Sequence, residues 1–389
     1  MVYIDQNKVK LALDLIHSSL PNIRTLHVAT HQAQQQLMEH PLWLKLRCIH
    51  LDYGDQSYSN NKIRLTQELA QRLAACDQLR ALSLVSSGCR IFVCRDELSA
   101  LLKGLNLRSL NLDSATTIAT ELPVADMGAL QTLKVALTVA QVEQLASPLL
   151  VALHTLELTL FEPSPAPALL KGVQLACLAR LPALLHLVIH DHERIIEQLY
   201  PLQYAQAQDT AAFKQLISYE YHEGSDYQAR HYVVESLPKQ SKFCFPSLTR
   251  LYLAPRPLTT DAFLDLVSLL NNQMPRLQEL ILIQQYVARK SAQPNEMMSM
   301  SWCRNPIWKE LAHLETLCLY SSEWTSAADV TLSVLANLRA LMAAPNLRRL
   351  HIKELCSLNR QQLDELLTLG NVSPDTILAF SSKAHTNQS

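Results

Sequence analysis

The densest run of ligand-type residues in the chain is His186, His190, Asp191, His192 and Glu193. Imidazoles and carboxylates in such a cluster could hold a metal ion. If the segment is a strand, His186 and His190 share a face, because side chains alternate along a strand. His192 then falls past the strand end, and nothing nearby in sequence supplies a fixed fourth ligand. A solvated strand end is the better reading, and no metal is expected. The nine cysteines, at positions 48, 76, 89, 94, 177, 244, 303, 318 and 356, are odd in number and scattered. Only Cys89 and Cys94 lie close together, and without a second pair they match no common zinc spacing. They read as reduced, mostly buried thiols that behave as small hydrophobes. Gly104-Leu105-Asn106 is no phosphate loop, and neither common glycine-rich type occurs. A nucleophile elbow, an HExxH helix and a Cys/His catalytic spacing are likewise missing. Neither enzyme activity nor a cofactor is expected.

Composition points away from the same classes. Hydrophobic residues make up 48% of the 389 and charged residues 18%, enough for a continuous core and too apolar for a disordered chain. Lys and Arg number 34 against 35 Asp and Glu, for a net charge of −1. That balance provides no global field for nucleic acid or for an anionic membrane. The first twenty residues carry Lys8, Lys10 and Asp14 at helical intervals, which is neither a signal-peptide nor a transit-peptide layout. No window is apolar enough to span a bilayer. The expectation is a soluble cytoplasmic or nuclear protein whose partner is another protein, with no membrane and no nucleic acid involved.

The elements that would position any site come from one recurring phrase: an aliphatic residue, two variable, an aliphatic, one variable, an aliphatic. It occurs at Ile23/Leu26/Val28, Leu46/Ile49/Leu51, Leu79/Leu82/Leu84, Leu107/Leu110/Leu112, Leu130/Leu133/Val135, Leu153/Leu156/Leu158 and Leu184/Leu187/Ile189. It returns at Leu248/Leu251/Leu253, Leu277/Leu280/Leu282, Leu314/Leu317/Leu319 and Leu347/Leu350/Ile352, and Ile377 to Phe380 could be a degenerate further copy. The last two aliphatics alternate with polar residues, the period of a half-buried strand. Between copies the pattern turns helical, as at Leu65/Leu69/Leu73, at Phe263/Leu266/Leu270 and at Val330/Leu332/Leu335. Thr260-Asp261 sits where a helix N-cap belongs. Pro21, Pro182, Pro246, Pro275 and Pro345 each stand two residues before a copy, a sensible stop between a helix and the next strand.

Eleven copies of this phrase resemble the LxxLxL core of leucine-rich repeats, and the resemblance covers nearly the whole chain. Copy starts are spaced 23, 33, 28, 23, 23, 31, 64, 29, 37 and 33 residues apart. Most of these leave room for a helix in each copy, as in the intracellular class of ribonuclease-inhibitor-like proteins and F-box-associated repeat arrays. The implied fold is an α/β leucine-rich-repeat solenoid, or horseshoe, with a concave parallel sheet and convex helices. The implied organisation is a single domain over 1–389 of about 11–13 irregular repeats, with a disordered tail at 381–389. The chain departs from the family in one respect. The slot that usually holds a turn-satisfying Asn or Cys contains His31, Gly54, Ser87, Ala115, Thr138, Phe161, His192, Arg256, Gln285, Ser322 and Leu355.

The regularity breaks twice. Residues 192–247 hold six of the 12 tyrosines, namely Tyr200, Tyr204, Tyr219, Tyr221, Tyr227 and Tyr232. They read either as an insertion or as a degenerate copy at Phe213/Leu216/Ser218. Residues 285–309 carry Met297, Met298, Met300, Trp302 and Trp308, types suited to adaptable contacts. Both interruptions are candidate binding loops. Gly54–Lys62 reads as a plain solvated loop.

On the strands, the residues between the aliphatics should face solvent. Two groups on that face are candidate partner-binding residues. One is His27, His50, Asp52 and Tyr53; the other is Arg250, Tyr252, Tyr320, Arg349, His351 and Lys353, with Trp302 from the second interruption. The second group is basic and aromatic and would suit an acidic or phosphorylated peptide. The functional expectation is a protein–protein interaction scaffold. One alternative is a ubiquitin-ligase substrate receptor similar to F-box repeat proteins, although the first copy at Ile23 leaves no room ahead of it for F-box helices. The other is a GTPase regulator, which would need a positioned arginine that the sequence does not single out.

Overall fold

A computed structural model describes residues 9–20, 22–28, 37, 39–52, 63–64, 67–86, 91–112, 116–118, 121–161, 175–191, 213–223, 245–254, 266–268, 270, 274–284, 308, 311–321, 341, 346–353 and 377–381. The chain is an α/β fold built on a large, open, all-parallel sheet. Its strands are β1 (Thr25–Val28), β2 (Cys48–Asp52), β3 (Ile63–Arg64), β4 (Ala81–Val85), β5 (Ile91–Val93), β6 (Ser109–Leu112), β7 (Thr116–Ile118) and β8 (Thr132–Leu137). They continue with β9 (Thr155–Leu160), β10 (His186–Asp191), β11 (Ser218–Glu223), β12 (Arg250–Ala254), β13 (Glu279–Gln284), β14 (Thr316–Ser321), β15 (Arg349–Lys353) and β16 (Ile377–Ser381). The α-helices whose bounds lie among the described residues are α1 (Val9–Ser19), α2 (Gln67–Ala74), α3 (Arg95–Gly104) and α4 (Val139–Leu145), and helical residues also occur at 37, 39, 266–268, 270, 308 and 341. No helix among the described residues is long and apolar enough to cross a membrane.

The chain forms two compact units, Met1–Pro167 with Cys177–Ile189, and Ala168–Ala176 with His190–Ser389. In the first, β1, β2, β4, β6, β8 and β9 pair in parallel in that order. In the second, β11 to β16 pair in parallel in chain order. Every phrase read from the sequence gives one of these strands or β10. In-register neighbours are equivalent phrase positions, as with Leu110 against Leu133 and Leu251 against Leu280.

Two backbone devices make the strands recur. The first is a turn closed by the phrase itself. An apolar residue three positions before the phrase accepts the N–H of its first aliphatic: Trp43 from Leu46 at 3.2 Å, Cys76 from Leu79 at 2.9 Å, Phe245 from Leu248 at 3.2 Å, Met274 from Leu277 at 3.0 Å. Those leading residues are all buried, so each copy begins one turn earlier than the sequence phrase suggested. Pro182, Pro246 and Pro275 occupy the second position of such turns, where a fixed φ pre-forms the bend. They shape the turn as well as stopping what precedes it. The second device is an extra rung. The carbonyl of Arg24 accepts from Arg47 N–H (2.8 Å) and Cys48 N–H (3.0 Å), and the carbonyls of Arg47, Arg80, Arg108, Gln131 and His154 do the same one copy on. In the second unit Ile217, Thr249, Gln278 and Glu315 repeat it.

The connection out of each strand depends on the number of residues it has. In the first unit the 33- and 28-residue copies house α2 and α3, whereas the 23-residue copy from Leu107 to Leu130 shows, among the described residues, only a short 3-10 helix at Val124–Asp126; the 23-residue copy from Ile23 to Leu46 has α-helical Leu37 and Glu39 ahead of its 3-10 helix at Pro41–Lys45. A helix in every copy is therefore not what forms. The remaining 23-residue copy fits α4 by starting it at once after β8. Thr138 caps α4, its side chain accepting from Gln141 N–H while the Gln141 side chain accepts the Thr138 N–H at 3.0 Å. That residue occupies the slot where the family pattern places Asn, and here it starts a helix. A second parallel sheet, β3-β5-β7, arises in three successive copies.

The interruption at 192–247 contains β11, a full member of the parallel order, so part of it is a copy of the phrase. Its register differs from Phe213/Leu216/Ser218. The aliphatic positions are Leu216, Tyr219 and Tyr221, all buried, and Phe213 is the leading turn residue, stacked on Phe245 at 5.4 Å. Two of the six tyrosines are thus core residues. Trp308, from the second interruption, is also buried; the rest of 285–307, the N-cap pair at Thr260-Asp261, the loop at 54–62 and the tail beyond Ser381 lie outside the described residues. Cys48, Cys76, Cys94, Cys177 and Cys318 are unbridged, and of these only Cys76 and Cys318 are buried.

Candidate functional site

Strand alternation holds over the first four residues of β8 and β9 and lapses at their ends, where Ala136 and Thr159 are buried. Leu110, Leu133 and Leu156 are at most 1% exposed, while the Lys134 and Glu157 side chains keep 39% and 27%. Asp191 obeys the alternation but departs from the solvated strand end expected of it. Leu187, Ile189 and Asp191 are alternate residues, so all three face the core, and Asp191 is fully buried instead of outward. Tyr221 donates its hydroxyl to Asp191 Oδ2 at 3.3 Å. Its neighbour His190 does face outward. Further along the outward row, Ile281 and Cys318 are also buried, at 9% and 6%, so the row is not uniformly solvated.

The first candidate group comes together in the N-terminal unit. His27 and His50 are in register on β1 and β2, with rings edge-to-face at 4.2 Å. His27 Nε2 lies 3.9 Å from Asp52 Oδ2, too far for a hydrogen bond. Cys48 begins the same strand, and burial raises its thiol pKa, partly opposed by a hydrogen bond with Thr25. Tyr53 lies outside the described residues. Farther along this face, Asn111 donates to Ser83 Oγ at 3.0 Å, and Lys134 pairs with Glu157 at 2.6 Å.

The second candidate group does not assemble as one patch. Arg250 and Tyr252 lie on β12, Tyr320 on β14, and Arg349, His351 and Lys353 on β15, three strand spacings from β12, or about 14 Å. Arg349 is exposed and His351 half-buried; the side chains of Tyr320 and Lys353, and all of Trp302, lie outside the described residues. Arg250 and Tyr252 instead join His190, from the run of ligand-type residues, and His222 and Glu220, which the sequence pattern did not single out. Across β10, β11 and β12 the outward rings of His190 and His222 stack at 4.6 Å, and His222 lies against Tyr252 at 4.5 Å. Beside the rings runs a chain of charge. Glu220 Oε2 is 3.6 Å from His222 Nε2 and its Oε1 4.0 Å from Arg250 Nη1, while Arg250 Nε contacts Glu279 Oε2 at 3.0 Å. Burial, and secondarily the Glu220 carboxylate, raise the pKa of the Tyr252 phenol. Among the described residues no three His, Cys, Asp or Glu side chains converge as metal ligands would.

No protein-family model matches the chain, and no curated protein matches it.

Proposed function

We propose that the chain is a leucine-rich-repeat protein of irregular intracellular type, a cytoplasmic or nuclear scaffold that binds another protein through the outward face of its parallel sheet and performs no catalysis. The supporting observation is that one outward position recurs on successive strands. It lays His, Lys, Glu and Tyr side chains in rows held by the paired backbone of each unit. A row of half-exposed polar and aromatic side chains suits an extended protein surface, whereas small ligands favour concave apolar pockets.

The test is capture of partners from cell extract by the tagged full chain, beside a variant carrying His222→Ala and Tyr252→Ala and a control carrying Lys103→Glu on exposed α3 surface. A partner retained by the wild type and the control but lost by the face variant supports the reading. Identical recovery by all three, or no partner at physiological salt, refutes it.

A further inference from the structure

We propose that Glu220, walled by the rings of His222 and Tyr252, is the seat for a cationic side chain of the protein partner, a lysine ammonium or an arginine guanidinium; this rests on the partner-binding reading above. Glu220 faces outward from β11, and its side chain is 26% exposed. Among the described residues its nearest cationic nitrogens are His222 Nε2 at 3.6 Å and Arg250 Nη1 at 4.0 Å. Both exceed hydrogen-bond length. Arg250 is committed elsewhere, to Glu279 at 3.0 Å. Glu220 is therefore a half-buried carboxylate with unused acceptor capacity. Withdrawing such a group from water is costly until a donor reaches it.

The surroundings select the sign of that donor. Histidines aside, the charged side chains of the cluster are Glu220 and Glu279 against Arg250, two carboxylates to one guanidinium. The ring face of Tyr252 attracts a cation and repels an anion. Burial raises the Tyr252 phenol pKa, and the Glu220 carboxylate adds to the rise. An acidic or phosphorylated peptide, which the basic residues of the sequence suggested, would meet Glu220 and Glu279 here; Arg250 is already answered by this chain's own acids.

The experiment uses the full chain with isotope-labelled histidine imidazoles, titrated with Nα-acetyl-arginine amide and, separately, with Nα-acetyl-citrulline amide, its neutral near-isostere. Saturable shifts of His222 and His190 are expected with arginine only. Glu220→Gln should weaken the arginine response by roughly tenfold or more, while Arg250→Gln, which removes a competing cation, should strengthen it. Equal responses to both probes, or an arginine response unchanged in Glu220→Gln, would overturn the proposal. Should Glu220→Gln fail to fold, the two-probe comparison and Arg250→Gln still decide. Partner capture separates this idea from the reading beneath it. A partner bound equally by wild type and Glu220→Gln overturns the seat and leaves the scaffold standing. Arginine binding with no captured partner does the reverse.

Discussion

Gly104 gives the sharpest test of the packing. It ends α3, and a Cβ built on it would stand 2.4 Å from Ala74 Cβ and 3.1 Å from Ala74 Cα and carbonyl oxygen, at the end of α2. Its backbone is not left-handed, so conformation alone would welcome alanine there, with a gain of up to about 1 kcal/mol in a helix. The clash reverses the sign. Carbon atoms rest about 3.5–4 Å apart, so the helix ends must separate by roughly an ångström, and overpacking of that kind costs about 1–3 kcal/mol. Gly104→Ala should therefore lose about 0.5–2 kcal/mol net. Urea unfolding would show the loss. Hydrogen exchange would localise it, with α2 and α3 amides exchanging roughly three- to thirtyfold faster. Ala74→Gly removes the opposing Cβ, so the double variant should recover at least about 1 kcal/mol relative to the summed single changes. A more stable Gly104→Ala, or a cost unchanged by Ala74→Gly, would refute the close approach.

Three further outcomes are expected from the described contacts. Tyr221→Phe withdraws a donor from the buried Asp191 carboxylate and should destabilise the C-terminal unit by about 1–3 kcal/mol; a silent substitution in urea unfolding would count against that hydrogen bond. Leu251→Ala should cost about 2–5 kcal/mol, because Leu251 is fully buried, while Tyr252→Ala one residue on should cost much less; reversed costs would show a slipped register. Burial, with Asp77 adding to it, holds the Cys76 thiol pKa up, from 9.0 to about 12. The unfolded thiol ionises first, so stability is unaffected below pH 9 and falls as pH rises from there toward 12. Native Cys76 should resist iodoacetamide at pH 8 and react at an ordinary rate in urea; equal rates would contradict the burial.

Strands that carry leucine at every core position were legible in the sequence because alternation and spacing agree. The failures have specific causes. In β11 tyrosines replace the aliphatics, so a search for Leu/Ile/Val found the leading Phe213 and took the phrase three residues early. Read as Leu216/Tyr219/Tyr221, the copy splits the 64-residue gap into two of 32, from 184 to 216 and from 216 to 248. The second sheet was missed because β5 and β7 are three residues long, too short to show a period; the β-branched Ile91 and Val93, and Thr116, Thr117 and Ile118, were the available signal. Asp191 was misplaced by a polar-means-outside habit that its alternation with Ile189 contradicts. The ring cluster had no local signature at all. His190, His222 and Tyr252 are 32 and 30 residues apart, and only a correct register for β11 brings them together.

Outward polar residues are not equally useful to a partner. On the N-terminal unit they pair with each other across strands, Asn111 with Ser83 and Lys134 with Glu157, as cross-strand neighbours in a sheet do. A partner would have to break these contacts to use them, and partly exposed pairs contribute only about 0–1 kcal/mol in either direction. The atoms left over there, His27 Nε2 and Asn111 Oδ1, have no hydrogen-bond partner but are shut off from solvent, so an incoming group cannot reach them without moving the sheet surface. Glu220 differs on both counts: it lacks a short hydrogen bond among the described residues, and solvent reaches it. In the C-terminal unit, a carboxylate open between two rings would discriminate partners by a single anchoring cation, whereas the self-paired rows of the N-terminal unit offer a partner little. Substituting Lys134 or Glu157 should then change capture of a partner far less than substituting Glu220.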